Sequence, residues 1–327
     1  MAERAAPLRI LITGATGFVG LHLADAIRRK FGDSAAIIPT ALYAGSNPTL
    51  GDVAALDVTD AAAVASALAA VRPTHFVNLA ALAAPGAANA DPAASWRVHL
   101  DGVRIIGRTI LEAAPSCVLL NVGSGLAYGR NRPPIRPTSE QTALAPTDDY
   151  GASKAAADLA LGPLIAKGLR CVRLRPFNHT GPGQTDAFVI PAFARQIARI
   201  EAGLAPPQIR VGNLDGQRDF LDVRDVAEAY AEAIARSPGL APDTILNIAS
   251  GVSHRIGDVL QQLLAMARVP IDVHNDPARG ANDAADIILG DASRARELLG
   301  WAPKIAFEQT LADVLDEQRS LVAKTAR

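Results

Sequence analysis

The stretch that most constrains this chain is Leu8 to Gly20, Leu-Arg-Ile-Leu-Ile-Thr-Gly-Ala-Thr-Gly-Phe-Val-Gly. Ile10 to Ile12 is a short apolar run that reads as a buried parallel strand. Gly14, Gly17 and Gly20 follow, and Val19, Leu23 and Ile27 then fall on one face of an amphipathic helix. A strand, a glycine turn and a helix N-terminus together make a phosphate site. Glycine lets backbone approach a pyrophosphate, and the helix end offers free N–H groups with a partial positive charge. The spacing is GxxGxxG rather than the commoner GxGxxG. Its place between a strand and a helix is nevertheless the context a dinucleotide loop requires. The plainer alternative is a tight structural turn.

Strand and helix patterns alternate from residue 8 to about 176. This predicts an α/β fold, a Rossmann-like doubly wound parallel sheet. A second strand over 35–42 ends in Thr40, Ala41, Leu42 and Tyr43. Dinucleotide folds often carry an acidic residue there for the ribose, or an arginine for a 2′-phosphate. Neither is present, so NADH and NADPH both stay open. Val53 to Asp57 reads as a short strand, with Thr59 or Asp60 capping a helix over 61–70. His75 to Ala81 and Cys117 to Gly123 read as strands, the second ending at Gly123-Ser124-Gly125. Helices are predicted over 95–113 and 151–166, and a strand over Cys171 to Arg175.

Beyond Arg175 the pattern changes. Arg175-Pro-Phe-Asn-His-Thr-Gly-Pro-Gly-Gln184 is dense in turn formers. Helices are predicted over 191–202, 222–234 and 255–267, strands over 208–211 and 246–249, and a polar loop over 274–286. Two short helices, 292–298 and 307–321, complete the pattern. With 327 residues the chain exceeds one small core. The expected division is a dinucleotide lobe of 1–176 with a return at about 222–250, and a smaller α+β substrate lobe of 177–221 and 251–327. Hydrophobic residues make up 49%, charged residues 20%, and the net charge is −1. Nucleic acid and membrane are therefore not expected partners, and no apolar run is long enough to span a bilayer. The opening residues lack a signal-peptide pattern, so the expected compartment is the cytoplasm. Cys117 and Cys171 lie in apolar runs and read as buried free thiols. The histidines show no metal-ligand spacing. His22 and His99 read as ordinary helix residues, and His179 as a sugar ligand or a structural loop residue.

Tyr150 and Lys154, in Tyr150-Gly-Ala-Ser-Lys154, share one helix face. An ammonium beside a phenol is expected to lower the tyrosine pKa toward neutrality. Such a tyrosine exchanges a proton with a carbonyl or carbinol oxygen, and Ser124 could hold the same oxygen in place. Tyr-x-x-x-Lys also occurs on plain solvated helices. The glycine loop and the upstream serine strengthen the chemical reading.

With these motifs in order along nearly its whole length, the sequence resembles the extended short-chain dehydrogenase/reductases of the nucleotide-sugar epimerase/dehydratase type. The resemblance implies NAD(P)H as cofactor, held by Gly14, Thr16, Gly17, Phe18, Val19 and Gly20. Asp57 would lie at the adenine, Val58 would bind the cofactor beside it, and Leu79, Ala80 and Ala81 would line the cofactor. Ser124, Tyr150 and Lys154 would form the catalytic triad, with Lys154 also on the nicotinamide ribose. A homodimer packed through 95–113 and 151–166 is implied too, although Val103, Ile106 and Ile110 suit a monomer core equally well.

The second half resembles one branch of that family, the GDP-6-deoxy-4-keto-D-mannose reductases. The resemblance rests on Arg175-Pro-Phe-Asn178-His-Thr-Gly-Pro-Gly-Gln184, Phe193 to Gly203, Gly212-Asn-Leu, Arg218-Asp-Phe and Asp222-Val-Arg-Asp225. It implies a GDP-linked 4-keto-6-deoxy sugar as substrate, with Asn178 at the sugar nucleotide and Arg218 on its diphosphate, where a guanidinium fork fits. A surface ion pair of Arg218 with Asp219 or Asp222 is the alternative. A second arginine usual near the C-terminus of this branch is represented only by Arg279, in Asp276-Pro-Ala-Arg279-Gly. Dehydratases of the family carry a carboxylate just after the catalytic hydroxyl, whereas Ser124 is followed by Gly125 and Leu126. Without that acid or base, reduction or 4-epimerisation is favoured over dehydration. A dinucleotide-binding regulator without turnover is the remaining rival, and the Tyr150/Lys154 pair speaks against it.

Overall fold

The computed structural model describes residues 7–83, 90–131, 135–276 and 286–325. Its main sheet is built from β1 (Leu8–Thr13), β2 (Ala35–Ala41), β3 (Gly45–Asn47), β4 (Gly51–Ala55), β5 (His75–Asn78), β6 (Val118–Val122), β7 (Cys171–Pro176) and, later in the chain, Ile245–Ile248. The eight strands run in the order Ile245–Ile248, β7, β6, β5, β1, β2, β4, β3, and every neighbouring pair is parallel except β3–β4. The order reverses between β1 and β5. Their carboxyl ends therefore open a crevice at the point where such sheets bind ligands.

Central strands are apolar on both faces, and the alternation shows where each side chain goes. Ile10, Ile12, Val77, Leu120 and Leu174 enter one core with α1 (Phe18–Phe31). Leu11, Phe76 and Leu119 enter the opposite core with α2 (Ala61–Val71). On that second face the predicted helix over 95–113 is three pieces: α3 (Pro92–Trp96), a π-helical stretch Arg97–Asp101 and α4 (Gly102–Ala113). Helix α5 (Asp149–Ile165) packs beside α4. Val103, Ile106 and Ile110 are buried within the single chain, so their apolar stripe belongs to the chain's own core. Each such side chain contributes about 1.5–3 kcal/mol by leaving water.

Caps mark the helix starts. Asp60 accepts from the N–H groups of Ala62 and Ala63 at the head of α2, and Asp148 from Gly151 N–H at the head of α5. The strand expected to end at Asp57 ends at Ala55 instead. Asp57 lies in the turn beyond it and accepts from Thr59 N–H and Oγ1, which holds its carboxyl below the usual range.

After β7 the chain builds smaller sheets. β8 (Asn178–Thr180) follows, then α6 (Val189–Glu201), β9 (Gln208–Val211) and β10 (Gln217–Asp222). Next come α7 (Val223–Arg236), β11 (Ile245–Ile248, the main-sheet strand above), β12 (Ser253–Arg255), α8 (Ile256–Ala265), β13 (Asp272–Asn275), β14 (Ile287–Ile288), α9 (Ser293–Leu299) and α10 (Phe307–Thr325). β10 pairs with β8, β12 and β14, and β9 with β13. α6, α8 and α10 enclose a third core around Phe193, Ile197, Phe220, Leu260 and Leu311. Ala295, Leu299 and Trp301 pack instead into the first core, beside α7. Cys117 and Cys171 are buried free thiols, and burial pushes both up to about 12. Among the described residues no helix is long and apolar enough to cross a membrane.

Candidate active site

The crevice at the carboxyl ends of β1, β5, β6 and β7 is one continuous cleft. Gly14, Thr16, Gly17, Phe18, Val19 and Gly20 line it, and so do Leu79, Ala81, Ser124, Tyr150, Lys154 and Asn178. The glycines are needed where they stand. Gly14 has φ +65° and lies against the Leu79 backbone, which a Cβ would meet at 3.0 Å. At Gly20 a Cβ would sit 2.3 Å from the Ala15 carbonyl oxygen. α1 starts at Gly17 with no side chain capping it and no acidic residue in its first turn. Its N–H groups and the positive end of its dipole therefore face the cleft, and this cradle fits a dinucleotide pyrophosphate.

Not every expected cofactor residue reaches the cleft. Val58 is buried in the second core against Gly102, Ala80 packs on the edge of that core, and Asp57 is exposed beyond β4. None of the three lines the cleft. Strand-like alternation after β5 explains the middle case, because Leu79 and Ala81 face the cleft while Ala80 between them faces inward. At the end of β2 a second hollow is lined by Thr16, Leu42, Tyr43, Ser46 and Asn47. No charged side chain lines it among the described residues.

The end of the cleft that holds Tyr150 and Lys154 is dry. Tyr150 is 8% exposed and Lys154 7%. Burial pushes the Tyr150 phenol up to about 12, with a hydrogen bond to Ser124 pulling it down and the Asp148 charge pushing it further up. Burial pushes Lys154 down to about 8. The sequence-based expectation of an ammonium-lowered phenol is thus not met. The Lys154 ammonium donates to the Val122 carbonyl at 3.2 Å and stands 6.0 Å from the centre of the Tyr150 ring. Desolvation outweighs that distant charge. Ser124 Oγ also accepts from Leu126 N–H at 3.1 Å, which holds the hydroxyl at the head of its turn.

Position 125 is tightly packed. A Cβ there would meet the Phe177 ring at 3.0 Å, and the cleft lining carries no carboxylate among the described residues. On the far side, His179 Nδ1 donates to the Phe177 carbonyl at 2.9 Å and its ring stacks on Phe18. Gln184 Nε2 donates to the His179 carbonyl, while its Oε1 and the Tyr230 hydroxyl are buried in the cleft wall without a protein partner. Tyr230 carries no sequence signal, because a tyrosine on a helix face reads as core. Arg218 lies outside the lining, but its strand partner Ile288 is part of it. Its guanidinium donates to the carbonyls of Gln217 and Asp286, and the expected alternatives are otherwise engaged: Asp219 holds Ser250, and Asp222 holds Arg224 and Thr310. Arg279 lies outside the described residues.

Comparison with known proteins places the chain among relatives of the same fold. The model of the NAD dependent epimerase/dehydratase family matches residues 10–249. The GDP-6-deoxy-D-mannose reductase of Pseudomonas aeruginosa is 32% identical over 316 residues, covering 96% of this chain and 98% of that one. The solved structure of RMD from Pseudomonas aeruginosa complexed with NADPH superposes with a TM-score of 0.82 at 30% identity, over 96% of this chain and 99% of that one. The UDP-glucose 4-epimerase of Thermus thermophilus in complex with NAD superposes with a TM-score of 0.81 at 25% identity, over 95% and 99%.

Proposed function

This chain belongs to the NAD dependent epimerase/dehydratase family, an NAD(P)(H)-dependent oxidoreductase acting on a nucleotide sugar, and from that premise we propose that it is a 4-ketoreductase. Its substrate is GDP-4-keto-6-deoxy-D-mannose and its product GDP-D-rhamnose. The observation that carries the choice is the cleft wall around Ser124: Ser124 and Tyr150 converge there, the next position is a glycine packed against the Phe177 ring, and no carboxylate lines the cleft among the described residues. Expelling water from the sugar needs an acid or base at that place, and reducing a carbonyl does not. The similarity to the Pseudomonas aeruginosa reductase supports the GDP-sugar.

In this reading Gly14, Thr16, Gly17, Phe18, Val19, Gly20, Leu79 and Ala81 hold the dinucleotide, which when bound supplies the hydride for C4. Ser124 bonds the carbonyl oxygen. Tyr150 donates the proton that this oxygen takes up as the C=O bond becomes C–OH, and a phenol that keeps its proton at neutral pH is in the right state to give it. Lys154 holds the ribose and follows the charge on Tyr150. Asn178 contacts the sugar nucleotide, and Arg218 turns its guanidinium to the diphosphate, with Arg279 as a second cation. The uncharged hollow at the end of β2 is compatible with either NADH or NADPH. The two-lobe division and a homodimer complete the proposal. Sedimentation tests the dimer.

The direct test couples a separate dehydratase acting on GDP-mannose to this protein with NADH or NADPH. Loss of cofactor absorbance with GDP-D-rhamnose as the product supports the proposal. No consumption, with oxidised NAD retained on the purified protein and two UDP- or GDP-sugars interconverted, replaces it with a 4-epimerase.

A further inference from the structure

His99, which the sequence presents as a plain helix residue, sits in the π-helical stretch Arg97–Asp101. Such turns re-aim side chains and gather at functional sites. The ring is 1% exposed and both nitrogens are engaged. Nε2 accepts from Leu82 N–H at 3.1 Å. That assigns the ring proton to Nδ1, which donates to Ser153 Oγ at 2.8 Å. The Ser153 hydroxyl donates in turn to the Tyr150 carbonyl at 2.8 Å. The His99 ring also lies edge-on to the Tyr150 ring, with centroids 5.6 Å apart at 89°. Leu82 stands between Ala81 and Ala83, both in the cleft wall. Burial, with the Lys154 charge adding to it, pushes His99 down to about 3, so the imidazole is neutral and Nε2 stays an acceptor.

We propose that His99 is a positioning residue that ties the cleft-lining loop after β5 to the Tyr150 turn, one ring nitrogen to each. This rests on the reading of Tyr150 as the proton donor and of the loop as a dinucleotide wall. Each nitrogen has its own job. The Nε2 bond sets the loop against the dinucleotide. The Nδ1 bond, through Ser153, sets the Tyr150 turn and with it the phenol.

Two substitutions separate the jobs. His99→Asn keeps an amide near the place of Nδ1 but stops short of Leu82. His99→Gln reaches the place of Nε2 but has nothing at Nδ1. His99→Asn is expected to weaken NADPH or NADH binding about tenfold, read by cofactor fluorescence, with kcat within about twofold. His99→Gln is expected to lower kcat about tenfold with dinucleotide Kd within about twofold. If a substitution in the buried ring impairs folding, Ser153→Ala breaks the second link alone and should reproduce the kcat loss. Equal changes in Kd and kcat for both variants, or no change in either, overturn the proposal. The dinucleotide arm needs no sugar, so it stands apart from the choice of substrate. Retained turnover in Tyr150→Phe would instead mark failure of the underlying reading.

Discussion

Helix α5 carries two buried polar clusters one turn apart, and they are built on opposite terms. At Asp158 the carboxylate is fully answered. Its carboxylate takes Arg175 Nε at 2.8 Å, Arg175 Nη2 at 2.7 Å and Arg173 Nη1 at 3.0 Å. Arg175 then donates to the Tyr128 hydroxyl at 2.6 Å, and that hydroxyl donates to Asn247 at 2.8 Å. At Lys154 the ammonium has the Val122 carbonyl and no carboxylate, and its pKa falls. The first cluster pairs its carboxylate with two guanidinium groups and fastens α5 to β7, leaving Arg173 Nε as its one buried group without a partner among the described residues. The second is short of partners on the side that faces the cleft. Burial alone therefore does not mark a functional group: what separates the two clusters is whether the protein itself answers the buried charge.

The sharpest way to separate the clusters is Tyr150→Phe. Turnover is expected to fall by about 10²–10⁴, while the thermal midpoint and dinucleotide affinity stay near their starting values. Asp158→Ala should do the reverse. Two arginines lose their counter-charge, and denaturant melts are expected to show a loss of about 3–5 kcal/mol, with kcat per folded molecule little changed. A stable Asp158→Ala protein would break the comparison. Ser124→Ala removes one donor to the carbonyl oxygen and should cost about 10²-fold in kcat, with the fold intact.

The last prediction concerns pH. The folded state lowers Lys154 from its usual 10.5 to about 8, so below pH 8 the buried ammonium opposes folding. Between about 8 and 10.5 the unfolded chain binds the extra proton, and the contribution of this residue to stability rises with pH. Lys154→Met should therefore stabilise the protein at pH 7 by about 1–3 kcal/mol, and the gain should fade as the pH of the melts is raised through that window. A gain independent of pH would assign it to packing rather than to the charge.

Much of the fold was legible because it repeats. Alternating apolar strands and capped helices up to residue 176 follow from local periodicity, and most observed elements fall within a few residues of the expected ones, the short edge strand β3 (Gly45–Asn47) being unexpected. The misses have local causes. The π-helical turn at Arg97–Asp101 has no composition signal. The short strands Asn178–Thr180, Ser253–Arg255 and Ile287–Ile288 exist only because β10 lies between them. In the site, Gly14, Gly17, Gly20, Ser124, Tyr150 and Lys154 were readable from spacing. Gln184, Tyr230 and His99 were not, since each gains its meaning from a neighbour far away in the chain.

By itself the sequence determined the glycine loop after β1, most of the order of strands and helices in the first 176 residues, and residue types able to exchange a proton, because these depend on contacts within a turn or a helix. The tertiary structure alone decided which of them meet. It brought Ser124 to Tyr150, moved Val58 into the core and Ala80 to its edge, packed Phe177 against Gly125, and set the two pKa values apart. The physical reason is desolvation: whether a phenol or an ammonium is dry depends on every chain segment packed around it, and no local pattern encodes that sum.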